Sequence, residues 1–137
     1  MTRFQASCVA VGGRGLLIAG PPGSGKSTLA LKLIDRGATL VGDDGVELAR
    51  EGTRLIAHPV AATVGLIEVR NVGIHTLPAS PATVALLLRL TGEAPRYVEA
   101  ADREELAGAA IPALAFDPGI PAAAIRAEIA LRRYGLA

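Results

Sequence analysis

The sequence predicts an α/β fold with a mixed sheet, an N-terminal hairpin and a C-terminal helix, and three observations carry that prediction. The apolar run Leu16–Ala19 passes through a glycine-rich loop, Gly20–Ser27, into a helix-forming stretch. Two strand-like segments flank the turn Gly12-Gly13-Arg14-Gly15. Near the C-terminus, Ile125, Ile129 and Leu131 recur at helical spacing among Arg126, Glu128, Arg132 and Arg133.

The elements follow in order. Gln5–Val11 and Leu16–Ala19 form the hairpin, and the helix after the glycine loop carries Leu29, Leu31, Leu33 and Ile34 and stops at Gly37. Ala38–Val41, bounded by Gly37 and by Gly42-Asp43-Asp44, reads as a buried parallel strand. Glu47–Leu48 and Arg54–Ala57 flank Glu51-Gly52 as a second hairpin, ended by His58-Pro59. Val64–Ile74, interrupted by Gly65 and Gly73, reads as a loop or short helix around Glu68 and Arg70. Thr83–Leu90 is the most apolar window and reads as a core strand. Ala101–Ala109 suggests a short helix capped near Asp102, and Leu114–Phe116 a short strand before Asp117-Pro118-Gly119. Pro121 suits the first position of the terminal amphipathic helix, with Ile125, Ile129 and Leu131 as its apolar positions, and that helix is expected to pack on the sheet.

Composition sets the bounds. At 137 residues the chain has the size of one ordinary domain, 1–137, able to bury a core without staples. Half of its residues are hydrophobic and 20% are charged, too apolar a balance for disorder. Apolar runs such as Val84–Leu88 fall far short of the roughly 20 residues a membrane helix requires. Met1-Thr2-Arg3-Phe4-Gln5 leads into no small-residue cleavage site, so a cytoplasmic location is expected. The net charge is +1, no basic run exceeds Arg132-Arg133, and the four aromatics are scattered, which argues against a nucleic-acid face. Cys8 has no partner for a disulfide and reads as a small buried hydrophobe. His58 and His75 stand alone, without metal-ligand spacing, and read as structural.

Gly20-Pro21-Pro22-Gly23-Ser24-Gly25-Lys26-Ser27, followed by Thr28, satisfies the phosphate-loop pattern G-x-x-x-x-G-K-[ST]. Glycines let the backbone turn its N–H groups toward phosphate oxygens, and the helix that follows adds its positive end. Lys26, one of only two lysines, supplies a mobile cation, and the Ser27 hydroxyl can ligate Mg²⁺. The fold class narrows to a P-loop-containing core, which serves as a kinase core among other nucleotide-binding functions. A helix from Lys26 to Arg36 rises about 16 Å, and the strand after it returns a similar length, so a right-handed crossover brings Asp43 and Asp44 to the loop's edge of the sheet. One carboxylate there can hold Mg²⁺, and a second can accept the proton of a hydroxyl receiving a phosphoryl group. Taken alone, Glu68 and Arg70 read as a solvated pair and Arg96 as a surface arginine.

The sequence resembles the catalytic domain of bacterial HPr kinase/phosphorylase, most of all its short single-domain alphaproteobacterial forms. The resemblance rests on Gly-Gly-Arg-Gly-Leu-Leu-Ile, the phosphate loop, Leu-Ile-Asp-Arg-Gly-Ala-Thr-Leu-Val-Gly-Asp-Asp-Gly-Val-Glu-Leu and Leu66-Ile-Glu-Val-Arg-Asn-Val-Gly-Ile74, and covers Phe4 to about Ile74 well. It implies ATP-dependent phosphorylation of a serine on the phosphocarrier protein HPr, with ATP and Mg²⁺ as cofactors, and the hexameric assembly of relatives. It further implies Lys26 on the β/γ-phosphates, Ser27 on Mg²⁺, Asp44 as proton acceptor beside Asp43 at the metal, Glu68 as a metal-linked acid, Arg70 and Gly73 in a segment needed for transfer, and Arg96 as an essential arginine. The chain departs from the family pattern at Gln5, where members carry a histidine, and at Asn71, where they carry glycine. No arginine-rich loop appears around Ala113–Gly119, and the N-terminal regulatory domain of full-length members has no counterpart in these residues. These departures leave kinase activity possible and undercut phosphorylase activity. A small-molecule kinase, or a nucleotide-binding regulatory protein with little or no transfer, are the alternatives.

Overall fold

The computed structural model describes residues 1–137. Eleven strands and two α-helices follow in chain order: β1 (Thr2–Phe4), β2 (Ser7–Val11), β3 (Arg14–Ala19), α1 (Lys26–Asp35), β4 (Thr39–Gly42), β5 (Val46–Glu51), β6 (Arg54–His58), β7 (Leu66–Val69), β8 (Gly73–Thr76), β9 (Ala82–Leu90), β10 (Asp102–Leu106), β11 (Ala109–Phe116) and α2 (Ala123–Tyr134). Nine strands make one mixed sheet whose path runs β1-β5-β6-β9-β3-β2-β4. The sheet forks at β9. One of its edges pairs with β3 in parallel, while the other is shared between β6, antiparallel at Ala82 and Thr83, and β11, parallel from Leu87 to Leu90. Neither helix is long and apolar enough to cross a membrane.

Strand β3 shows why the central run is uniformly apolar. Leu16 and Ile18 face the layer that holds α1 and α2, whereas Leu17 and Ala19 enter a second apolar layer built chiefly from strands on the opposite face. A parallel strand covered on both sides needs hydrophobes at every position. Gly15 is required by close packing, because a Cβ there would lie 2.8 Å from the Thr83 carbonyl oxygen of β9.

Helix α1 starts at Gly25, whose φ of 101° few other residues tolerate, and buries Lys26, Leu29, Ala30 and Leu33. It ends in a Schellman motif. Gly37, at φ 107°, donates to the Ile34 carbonyl, and the Ala38 N–H donates to that of Leu33.

Several expectations are corrected. The strand after α1 does run in the same direction as β3, but β2 stands between them and pairs antiparallel with both. The carboxyl end of β4 still arrives on the loop side, since two antiparallel steps restore the direction. Val64–Ile74 is a β-hairpin, not a loop or helix. Ile67 is buried beneath it while Leu66 and Glu68 face outward, and Asn71 at φ 68° and Gly73 at φ 124° turn the chain. Ala101–Ala109 is strand β10 and its turn rather than a helix. Ala107 and Gly108 both have positive φ, the geometry of a two-residue hairpin turn, and β11 extends far beyond Leu114–Phe116. Pro121 precedes the helix cap at Ala122 instead of opening α2. That helix packs through Ala123, Ala124, Ala127, Ala130 and Leu131, and leaves Ile125 and Ile129 nearly half exposed. Short alanines let it lie close to the sheet, which turns the isoleucines outward.

Candidate active site

The glycine loop crosses from the carboxyl end of β3 to α1, and three sequence-distant segments meet at its helix end. Lys26 is buried, and its Nζ donates to the carbonyls of Gly20 at 2.8 Å and Pro21 at 3.2 Å. The same ammonium lies 3.6 Å from Asp44 Oδ1. The Ser27 hydroxyl donates to Asp43 Oδ1 at 2.6 Å. Glu68, from β7, donates its backbone N–H to the other oxygen of Asp43 at 3.0 Å.

The two aspartates differ in surroundings although they are adjacent. Asp43 is partly buried and spoken for by donors on both oxygens. Asp44 is exposed, faces Lys26 and holds φ 56°, a left-handed conformation in which aspartate is enriched among non-glycine residues. The turn that presents them needs glycine at 42, where a Cβ would stand 2.5 Å from the Gly45 carbonyl oxygen.

A cleft of about 240 Å³ is lined by Pro22, Gly23, Gly25, Lys26, Ser27, Thr28, Asp43, Asp44, Glu68 and Arg70. Every lining residue there is one that sequence reasoning assigned to the site. A second cavity, about 690 Å³, lies on the other flank of the loop and shares Gly25 and Thr28 with the first. Pro21, Ser24, Lys32, Thr91, Gly92 and the Asp117-Pro118-Gly119 turn contribute to its walls. The Ser24 hydroxyl is buried and has no hydrogen-bond partner. Gly20 sits beneath the loop, as the acceptor for Lys26.

Arg96 is not brought to either cavity. It lies exposed in the segment between β9 and β10. Gln5 lies exposed between β1 and β2, and its side chain makes no hydrogen bond. Ser7, two residues on, is the side chain that touches the aspartates, donating to Asp43 at 2.9 Å and accepting the Asp44 N–H at 3.1 Å. No sequence motif marks Ser7, a single polar residue within a strand-like segment. Of the larger cavity's walls, the loop residues Pro21, Ser24, Gly25 and Thr28 are among those the sequence assigns to nucleotide binding, whereas Asp117-Pro118-Gly119 carries only a turn signal.

The residues suit a hard divalent cation. No group of three or more His, Cys, Asp or Glu side chains converges into a protein cage. A hydroxyl and a carboxylate with oxygen donors alone instead match the way Mg²⁺ is held, by one or two protein oxygens with phosphates and water completing the shell.

Comparisons with known proteins show what the chain is similar to. The sequence model of the family described as HPr Serine kinase C-terminal domain matches residues 1–79. An HPr kinase/phosphorylase of Clostridium beijerinckii is 47% identical over 73 residues, which are 53% of this chain and 24% of that protein. One of Clostridium novyi is 39% identical over 98 residues, 72% of this chain and 32% of that protein. The match thus spans about a quarter to a third of the length of these relatives. Among solved structures, the Hpr(Ser) kinase/phosphatase from Coxiella burnetii superposes with a TM-score of 0.84 at 26% identity, over 96% of this chain and 95% of that one. With 79 of its 137 residues matched by the family and the fold shared along almost its whole length, the chain belongs to the HPr Serine kinase C-terminal domain family.

Proposed function

We propose that this protein transfers the γ-phosphoryl group of ATP to a serine hydroxyl of an HPr-like phosphocarrier protein. The observation that carries the reading is the meeting of Lys26 and Ser27 with Asp43, Asp44, Glu68 and Arg70 in one polar cleft at the end of the glycine loop. Phosphoryl transfer is catalysed chiefly by positioning and charge, and the cleft offers both.

The triphosphate runs along the loop, with its nucleoside in the larger cavity and its γ-phosphate in the polar cleft. Lys26 exchanges its loop carbonyls for β- and γ-phosphate oxygens. Asp44 accepts the proton of the substrate hydroxyl. The hydroxyl oxygen bonds to the γ-phosphorus as the bond to the β–γ bridging oxygen breaks, and ADP departs with that electron pair. Arg70 stabilises charge on the group in flight. Ser27 and Asp43, with Glu68 beside them, are the residues that would hold Mg²⁺, which neutralises phosphate charge when bound. The carboxyl rim of the cleft is open to solvent, and Asp44, Glu68 and Arg70 are all exposed there, as a protein substrate requires.

Residues 1–137 are read as one kinase domain, because β9 takes partners from both halves of the sequence and α1 and α2 share one apolar layer. The test is incubation with γ-labelled ATP, Mg²⁺ and HPr from the same cell. Label on an HPr serine supports the proposal, and label on a small metabolite instead would redirect it.

A further inference from the structure

Only two polar or charged side chains are buried in this protein, Lys26 and Ser7. The first belongs to the glycine loop. Ser7 lies on β2 with none of its surface exposed, at a position where the neighbouring Ala6, Cys8 and Val9 are all apolar. A buried hydroxyl is costly unless both of its capacities are used. Here both are: the Oγ donates to Asp43 Oδ1 at 2.9 Å and accepts the backbone N–H of Asp44 at 3.1 Å. The register explains how β2 reaches the turn. An irregularity between Cys8 and Val9 sets Cys8 opposite Gly42, so Ser7 meets the residues just beyond β4.

We infer that Ser7 is a positioning residue that fixes both aspartates for transfer, an inference that rests on the kinase reading of this cleft. Asp43 receives Ser7 and Ser27 on Oδ1 and the Glu68 N–H on Oδ2, three donors from three elements. With its orientation set, Asp43 accepts the hydrogen bond of the Ser27 hydroxyl, which leaves the oxygen lone pairs of Ser27 free for a cation. Ser7 also holds the N–H of Asp44, whose left-handed φ of 56° points the second carboxylate toward Lys26. One hydroxyl therefore sets the metal-side acid and the proton acceptor against each other. A packing role alone needs no oxygen at this position.

The test uses Ser7→Ala and Ser7→Thr in the full chain, with Asp43→Asn as the background for a double variant. Ser7→Ala should lower kcat at saturating ATP and Mg²⁺ by about 10- to 100-fold and raise the Mg²⁺ needed for half-saturation, as loss of a ligand's supporting partner does. KM for ATP at saturating Mg²⁺ and the affinity for ATP without metal should stay at parental values. In the protein without nucleotide, hydrogen exchange at the Asp44 amide should accelerate. Ser7→Thr keeps the oxygen and should restore all of these, and Ser7→Ala should cost nothing further on top of Asp43→Asn. Parental kcat and Mg²⁺ dependence in Ser7→Ala would overturn the inference, as would a Ser7→Thr impaired as deeply as the alanine. If the parent transfers nothing to HPr, the kinase reading falls by itself. The Asp44 amide exchange and the Mg²⁺ dependence of ATP binding then decide the role of Ser7 on their own.

Discussion

The hydroxyl of Ser27, in the first turn of α1, donates to Asp43 Oδ1 at 2.6 Å and so ties the glycine loop to the end of β4. The bond gives the two residues one joint task, because the carboxylate directs the serine's free electron pairs outward.

Their substitutions should therefore be non-additive. Ser27→Ala and Asp43→Asn should each raise the Mg²⁺ requirement for ATP binding by about tenfold or more, with the double variant little worse than the stronger single one. Titration of ATP affinity against Mg²⁺ by calorimetry reads this directly, and full additivity would separate the two roles.

Lys26 and Asp44 should divide binding from chemistry. Lys26→Ala removes the buried cation of the cleft and should weaken ATP binding as well as transfer. Asp44→Asn keeps the shape and should leave ATP binding near parental while turnover falls by about a hundredfold or more. If Asp43→Asn gives that pattern and Asp44→Asn loses Mg²⁺ dependence, the two aspartates exchange roles.

The site was more legible in the sequence than the fold around it. The glycine loop is a contiguous motif with a local mechanism, and the turn Gly42-Asp43-Asp44-Gly45 announces itself by composition, so both are placed without knowing the sheet. Strands β7, β8 and β10 read as loop or helix because their residues carry weak local signals. Arg103-Glu104-Glu105-Leu106 are good helix formers, and only pairing with β11 makes them a strand. Pairing is also why Ser7 stayed hidden. Its significance comes from the register of β2 on β4, a relationship between residues 36 apart that no local pattern contains. In the terminal helix Leu131 is buried as its apolarity suggests, but Ile125 and Ile129 face outward, because isoleucine outranks alanine in apolarity while alanine alone permits the close approach.

The larger cavity makes a prediction of its own. If it takes the nucleoside, photolabelling with 2-azido-ATP should mark peptides that carry Leu90–Gly92 or Asp117–Gly119, and ATP should protect them. Tripolyphosphate should compete for the loop while binding more weakly than ATP, since it lacks the group that fills the cavity. Protected labelling confined to the β7–β8 hairpin would place the base elsewhere.

Cys8 should be inert in the folded protein. It is fully buried in the strand-built apolar layer, and loss of hydration pushes its thiol from 9.0 up to about 12. Thiol reagents should therefore label it only after unfolding. The linkage has a definite sign: the folded state keeps the proton that the unfolded state gives up. The thiol costs nothing below pH 9, and between pH 9 and about 12 it lowers stability progressively as the pH rises. Denaturant unfolding across that range, compared with Cys8→Ala, isolates the contribution.

The most direct test of the whole account is a stoichiometric one. Parent protein, Lys26→Ala and Asp44→Asn are each mixed with γ-labelled ATP, Mg²⁺ and HPr, and the label on HPr is counted and mapped by mass spectrometry. The account predicts one phosphoryl group on one HPr serine with the parent, and none with either variant, although Asp44→Asn still binds ATP. A parent that binds ATP at the glycine loop yet leaves HPr unlabelled would contradict it.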